Sequence, residues 1–317
     1  MVSKVTPDTM LSASRLPAVM GLSRYRSPND ELDYSIRAIR GEEREDIGNE
    51  AMSWGNLMEP LILAQAAQRL ELTDLVTEHP EARFHPELPL CCSLDGTADG
   101  RGQVIHSDPD KGIYVVGQDS ITLDGIGVLE AKLTAVSPEE MPALYRGPVQ
   151  LQAQMDITQA KWGAVCVLYQ GTEMRVFLFA PHEQTLASIT QVATEFHAKL
   201  EKFRANGEVD YYPPSSSKDA DRMFPTAADE VVQLDSYAEE LARLIAAGKK
   251  KIKSVNEDIE KAEKELKSLL GNAARGIAGQ FQISWPMRSY AATPQRIVPA
   301  KDAYSIRQST LSIKEIK

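Results

Sequence analysis

The chain has 317 residues, 43% of them hydrophobic and 25% charged, with a formal net charge of −10. That size and mix describe a globular protein of about two domains, and no apolar run approaches the ~18 residues a membrane helix requires. Three cysteines, Cys91, Cys92 and Cys166, are too few for an iron–sulfur cluster or a structural zinc site, and with no apolar stretch after Met1 they fit a reducing, cytoplasmic setting.

Residues 11–21 open on Ser12-Ala13-Ser14 and read as a short capped helix. Ser27-Pro28-Asn29-Asp30 starts a second helix that runs to about residue 40. Residues 48–72 form the strongest early helix, with Trp54, Leu57, Met58, Leu61 and Ile62 at helical spacing and therefore expected on its buried face. Residues 80–89 are a loop with a short extended piece, and 90–95 and 127–133 are strands. Between those strands lies a turn-rich stretch in which 113–116 and 121–123 read as hairpin strands. Residues 148–159 are helical, 162–169 and 174–179 form a hairpin around Gln170-Gly171-Thr172, and 183–206 is a long amphipathic helix. This order predicts an α/β (α+β) core over residues 1–206.

Residues 207–232 contain Pro213-Pro214-Ser215-Ser216-Ser217 and read as a linker. Residues 233–270 then hold a heptad. One series is Ala238, Ile245, Ile252, Ile259 and Leu266; the other is Leu234, Leu241, Gly248, Val255, Ala262 and Leu269. Gly248 and Lys249-Lys250-Lys251 allow a break into a helical hairpin, while the unbroken register favours one helix. In the final stretch, 271–317, the segments 280–285 and 309–316 read as strands of a small basic unit. That stretch has seven basic and two acidic residues, the heptad segment is neutral, and residues 1–232 carry −15. An acidic total disfavours a binder that relies on lysine and arginine alone, but the basic tail is suited to phosphate contact.

The candidate chemistry sits on two extended segments. In a strand, alternate residues share a face, so Glu130 and Lys132 point one way while Leu129, Ala131 and Leu133 point into a core. Asp95 ends another apolar segment in Leu94-Asp95-Gly96. An Asp with a Glu-x-Lys on a neighbouring strand offers hard oxygen donors to a divalent cation with an ammonium beside it, a set suited to phosphodiester hydrolysis. Glu59 borders an apolar helical stripe and is followed by Pro60, which can kink the helix and turn the acid inward.

Ser12-Ala13-Ser14, Trp54-Gly55-Asn56-x-x-Glu59-Pro60, Ser93-Leu94-Asp95-Gly96, Leu129-Glu130-Ala131-Lys132 and Gln150-x-Gln152-x-x-Met155 occur in this order along the chain. Over residues 9–205 the chain thereby resembles the YqaJ-like viral recombinases, a family of the phage lambda exonuclease type among the PD-(D/E)xK nucleases. The resemblance implies a restriction-endonuclease-like core, a central mixed sheet flanked by helices. It implies Mg2+, with Mn2+ as a substitute, held by Asp95, Glu130 and the Ala131 backbone carbonyl, with Glu59 as a further ligand or outer-sphere partner. Lys132 would orient or deprotonate the attacking water, and Gln150 would help place the water or the scissile phosphate. Ser12, Ser14, Arg15 and Gln152 would contact DNA.

The implied activity is 5′-to-3′ digestion of double-stranded DNA ends, often by a ring-shaped homotrimer, leaving single strands for a single-strand annealing protein in the cytoplasm of a phage-bearing host. Two features depart from the family pattern. Residues 100–126 are long for the connection between the acidic strands. The arginine expected ahead of the Ser-Ala-Ser motif is absent, Thr6, Pro7 and Asp8 standing there, with Arg15, Arg24 and Arg26 as the candidate replacements. The same core also suits an endonuclease or a single-strand nuclease, and a non-catalytic DNA-binding or assembly protein built around the heptad is the alternative of another class.

Overall fold

The computed structural model describes residues 6–42, 49–77 and 79–289. They fall into two compact units, Met1–Met223 and Phe224–Lys317.

The first unit begins with β1 (Leu11–Ser12), a 3-10 turn (Ala13–Arg15) and α1 (Leu16–Val19). The single helix expected over 11–21 is thus corrected: Leu11 and Ser12 pair in parallel with Leu90 and Cys91, and the Ser12 side chain caps nothing. In α2 (Pro28–Ile39), Ser27 Oγ accepts from Asp30 N while the Asp30 carboxylate accepts from Ser27 N, a reciprocal capping box. α3 (Glu50–Arg69) is capped by Asn49, which accepts from Met52 N, and runs on through Pro60. Its buried residues are Ile62, Leu63, Ala66 and Ala67. Trp54, Leu57 and Leu61, expected on the buried face, are exposed, because the face of α3 that meets the core is the one carrying Ile62, Leu63 and Ala66 in its C-terminal half.

The strands are β2 (Thr73–Val76), β3 (Arg83–Phe84), β4 (Leu90–Cys92), β5 (Gly96–Asp99), β6 (Gln103–His106), β7 (Ile113–Val115), β8 (Ser120–Leu123) and β9 (Ile126–Thr134). α4 (Pro148–Thr158), β10 (Gly163–Tyr169), β11 (Glu173–Phe179), α5 (Glu183–Asn206) and α6 (Ser217–Met223) complete the unit. The main sheet has the order β2-β5-β9-β10-β11-β7. Its β9–β10 and β11–β7 pairs are parallel and its other pairs antiparallel, so it is mixed. The strand expected over 90–95 ends early, at Cys92: β4 joins β1 and β3, a separate strand, β5, joins the main sheet from Gly96 on, and Asp95 stands between them. The hairpin expected from 113–116 and 121–123 does not form. β7 takes the sheet edge beside β11, and β8 pairs instead with β6.

Both faces of the main sheet are covered. Leu129 and Ala131 pack with Ile62, Leu63 and Trp162 under α3. Val128 packs on the other side with Val149, Leu151 and Phe196 of α4 and α5. The Pro/Ser-rich segment is not wholly a linker: Tyr212 N donates to Asn29 Oδ1, and buried Asp219 accepts from Asn29, Ser27 and Ser215, fastening α6 to α2.

The second unit contains α7 (Ser236–Leu270), one continuous helix capped by Asp235 through Ala238 N, so Gly248 does not break it into a hairpin. β12 (Arg275–Ala278) and β13 (Phe281–Ser284) follow as an antiparallel pair. The strand expected over 309–316 lies outside the described residues, as does the basic tail from residue 290. Among the described residues no helix is long and apolar enough to cross a membrane.

Gly127 faces fully buried Trp162, and a Cβ there would sit 2.2 Å from the indole. Gly127→Ala, on the strand that bears Glu130, therefore has to displace a packed ring. A loss of about 1–3 kcal/mol is expected in urea unfolding; an unchanged midpoint and slope would show that the ring yields freely.

Candidate active site

The antiparallel ladder between β5 and β9 ends at Gly96 opposite Leu129. Asp95, one residue earlier, occupies the place where a further strand residue would stand. Its Oδ2 accepts from Ala131 N at 3.0 Å. The N–H and C=O of one strand residue point to the same edge, so the Ala131 carbonyl also faces Asp95. Glu130, next in line, turns to the opposite face from Ala131 and is fully buried.

Burial of a carboxylate demands partners, and Glu130 has two. Lys132 Nζ, on the same face of β9, pairs with Oε1. Gln154 Nε2 donates to Oε2 at 2.7 Å and also to Ser93 O at 3.0 Å, tying the acid to the segment that carries Asp95. Lys132 Nζ donates further to Gln150 Oε1 at 3.3 Å. Gln150 and Gln154 lie four apart and so share the inner face of α4. Gln154 is a site residue that no sequence expectation covered, although its spacing from Gln150 carries the signal.

Five of the residues expected at the site therefore come together: Asp95, Glu130, Ala131, Lys132 and Gln150. Glu59 faces the same cluster electrostatically. Burial raises its carboxyl above the ordinary value, and the neighbouring Glu130 adds to the rise while Lys132 opposes it. Asp95 is raised well above its ordinary value, first by burial and then by Glu130, against the pull of Lys132. Burial alone would push the Lys132 ammonium down, yet Glu130 and Asp95 hold it above its usual range.

Two expected DNA contacts are corrected. Arg15 is buried and its guanidinium is consumed internally: Nε meets Glu31 Oε2 at 2.5 Å, Nη2 donates to Glu31 O and Ser35 Oγ, and Nη1 to Met10 O. Gln152 points away from Gln150. Its Nε2 donates to Ala180 O and its Oε1 accepts from His182 N, so it pins the turn into α5. Ser12 is buried, while exposed Ser14, 3.2 Å from it through the hydroxyls, borders a cavity of about 560 Å³. Arg26, Tyr34, Lys132 and Arg146 also line that cavity. Of the candidate replacement arginines, Arg26 reaches this space with its side chain 41% exposed, although Nε meets Glu31 at 3.1 Å.

Among the described residues no three His, Cys, Asp or Glu side chains gather closely enough to hold a metal ion by themselves. Two carboxylates and a backbone carbonyl nevertheless match the habit of Mg2+, which takes one or two carboxylates and keeps several waters. Burial is the main cause that raises Asp95 and Glu59, and the repulsion from Glu130 that adds to it is what a cation would relieve. The donor set fits a hard divalent ion bound by Asp95, Glu130 and Ala131 O, with Glu59 further out.

Among curated proteins none matches the sequence significantly. Of solved structures, an alkaline exonuclease from Laribacter hongkongensis, LHK-Exo, is similar at 17% identity over 62% of this chain and 90% of its own, with a TM-score of 0.44. The same exonuclease in complex with dAMP gives 18% identity over 61% and 89%, also at 0.44. A phage-related exonuclease from Haemophilus somnus 129PT gives 10% identity over 63% and 96%, at 0.39. Residues 6–161, which hold every element of the site from Ser14 to Gln154, match the YqaJ-like viral recombinase domain, so this part of the chain is a domain of that kind.

Proposed function

We propose that the first unit is a divalent-metal-dependent deoxyribonuclease, working as a 5′-to-3′ exonuclease on double-stranded ends and leaving single strands for an annealing protein. The observation that carries this reading is the convergence of Asp95, the Ala131 carbonyl, Glu130 and Lys132 at the end of one strand ladder. Mg2+, when bound by Asp95, Glu130 and Ala131 O, would lower the pKa of a water and screen charge on the phosphate. Lys132, held charged between its acidic neighbours, orients that water and offsets the developing negative charge. Gln150 holds the Lys132 ammonium from the α4 side, and Gln154 fixes the Glu130 carboxylate. Arg26, which lines the same cavity as Ser14 and Lys132, is suited to a terminal 5′-phosphate, a guanidinium's preferred partner.

Glu130→Gln and Lys132→Ala are each expected to lower Mg2+-dependent digestion of linear duplex by on the order of 10²-fold or more, with Lys132→Ala still binding DNA. Full activity in both, at unchanged fold stability, would overturn the assignment. Gln154→Ala should cost roughly 10–100-fold, the usual effect of removing a ligand's orienting partner. Arg26→Ala should erase the difference in rate between 5′-phosphorylated and unphosphorylated ends. A retained difference would move the phosphate contact elsewhere, and rapid cutting of covalently closed circles would favour an endonuclease.

Metal binding has a readout besides activity. Asp95 titrates above its unfolded value in the folded chain. Between the two values the folded state holds the extra proton, so this contribution to stability is full below the unfolded value and is lost as pH rises through the raised one. In a chelator the melting temperature is expected to fall over that rise. Mg2+ should restore it at the high end, and Asp95→Asn should flatten the slope. A chelated wild-type protein with a flat profile would contradict the crowding of these acids.

A further inference from the structure

α7 is a 35-residue helix in which no residue is buried, about 52 Å long at 1.5 Å per residue. Its apolar residues nevertheless keep a strict heptad. Ala238, Ile245, Ile252, Ile259 and Leu266 occupy the a positions; Leu241, Gly248, Val255, Ala262 and Leu269 occupy the d positions. Ile252, Val255 and Ile259 in its middle are more than half exposed. Such a seam needs a second helix, and its own residues say which one.

We infer that α7 pairs with α7 of a second copy of this chain, antiparallel, about a two-fold axis between Lys253 and Ser254. In that arrangement each a residue packs against a d residue of the partner copy, and the position numbers in a layer total 507. Ile259 then meets Gly248, Ile245 meets Ala262, and Leu269 meets Ala238, so every small residue stands opposite a large one. Leu241 meets Leu266, and Ile252 meets Val255 at the centre. A parallel pair would instead stack Gly248 on Gly248 and Ala262 on Ala262, leaving voids between walls of isoleucine.

Charge selects the same orientation. The flanking g positions are Tyr237, Leu244, Lys251, Asp258 and Glu265, and the e positions include Lys249, Asn256 and Glu263. Antiparallel helices set g beside g, which brings Lys251 to Asp258 of the other copy twice by symmetry. A parallel pair sets each g beside the following e, which puts Asp258 against Glu263 twice. Gly248 also gains a reason to exist: mid-helix glycine is destabilising relative to alanine, and here it admits Ile259. The pairing is isologous and closes on itself. It uses no residue of the nuclease site and stands independently of the proposed function.

Full-length Leu241→Cys and Leu266→Cys proteins test it, since native Cys91, Cys92 and Cys166 are buried. The two are mixed under reducing conditions, oxidised with glutathione disulfide and compared on a non-reducing gel with each alone and with wild type. A crosslinked dimer is expected in the mixture and not from either variant alone. A dimer from Leu241→Cys alone would mean parallel pairing, and no crosslink anywhere would mean that α7 does not pair; either overturns the inference. In sedimentation, Lys251→Glu should weaken the dimer several-fold and Lys251→Glu/Asp258→Lys should restore it. A double variant no tighter than the single one would refute the antiparallel charge register.

Discussion

A carboxylate without exposed surface lies on the central strand of a two-sided sheet, and the site is built around the need to compensate it. An unpaired ion there would cost several kcal/mol. Glu130 therefore requires Lys132 two residues along the same face and Gln154 across from α4. Those requirements fix α4. Its first turn sits close enough to β10 that a Cβ on Gly147, whose φ is 115°, would come within 2.7 Å of Val165. Pro148 then starts the helix at the position where its missing N–H costs nothing. Once α4 is set, Gln150 reaches Lys132, and the bond from Gln154 to Ser93 O holds the turn that presents Asp95.

The first unit contains a second buried ion pair, and the contrast separates a bracing pair from the one that the proposed chemistry uses. Around Arg15 and Glu31 the accounts are closed: the guanidinium donors are taken by Glu31, Ser35 and backbone oxygens, and little surface remains. Around Glu130 and Lys132 they are not. Lys132 keeps 28% of its side chain exposed, and Asp95 and Glu59 crowd one ammonium with more negative charge than it can offset. Saturated pairs brace a fold. An oversupplied acidic cluster beside an accessible lysine is the arrangement that the proposed metal-assisted cleavage calls for.

Much of this was legible in the sequence because strand alternation and helix caps are local. The Glu-x-Lys face, the Ser27 cap, the 163–179 hairpin and the long helices depend on residues a few positions apart. What was not legible depended on what lies across the chain. Alternation in β9 identifies two faces but not that both are covered, so it could not say that Glu130 would be as buried as Leu129. Helical spacing in α3 groups Trp54, Leu57 and Leu61 without saying whether a core lies beneath them. Arg15 looks like a phosphate ligand until Glu31, sixteen residues on, arrives beside it. Gln152 looks like a neighbour of Gln150 until the helix turns it toward Ala180.

α4 and α7 show the two ends of this dependence. In α4 nearly every residue is buried, successive glutamines serve different masters, and the sequence alone reads only as a helix rich in glutamine. In α7 nothing is buried, so its apolar pattern is not accounted for by burial within its own unit. A solitary helix gains only tenths of a kcal/mol from each side-chain pair of the Arg243–Glu239 kind, and most helical stability comes from packing an apolar face. A heptad kept through a mid-helix glycine is therefore a constraint set by something outside the helix. Because each small residue of the seam has a large one at the mirrored position, the constraint also specifies direction, which hydrophobicity alone does not.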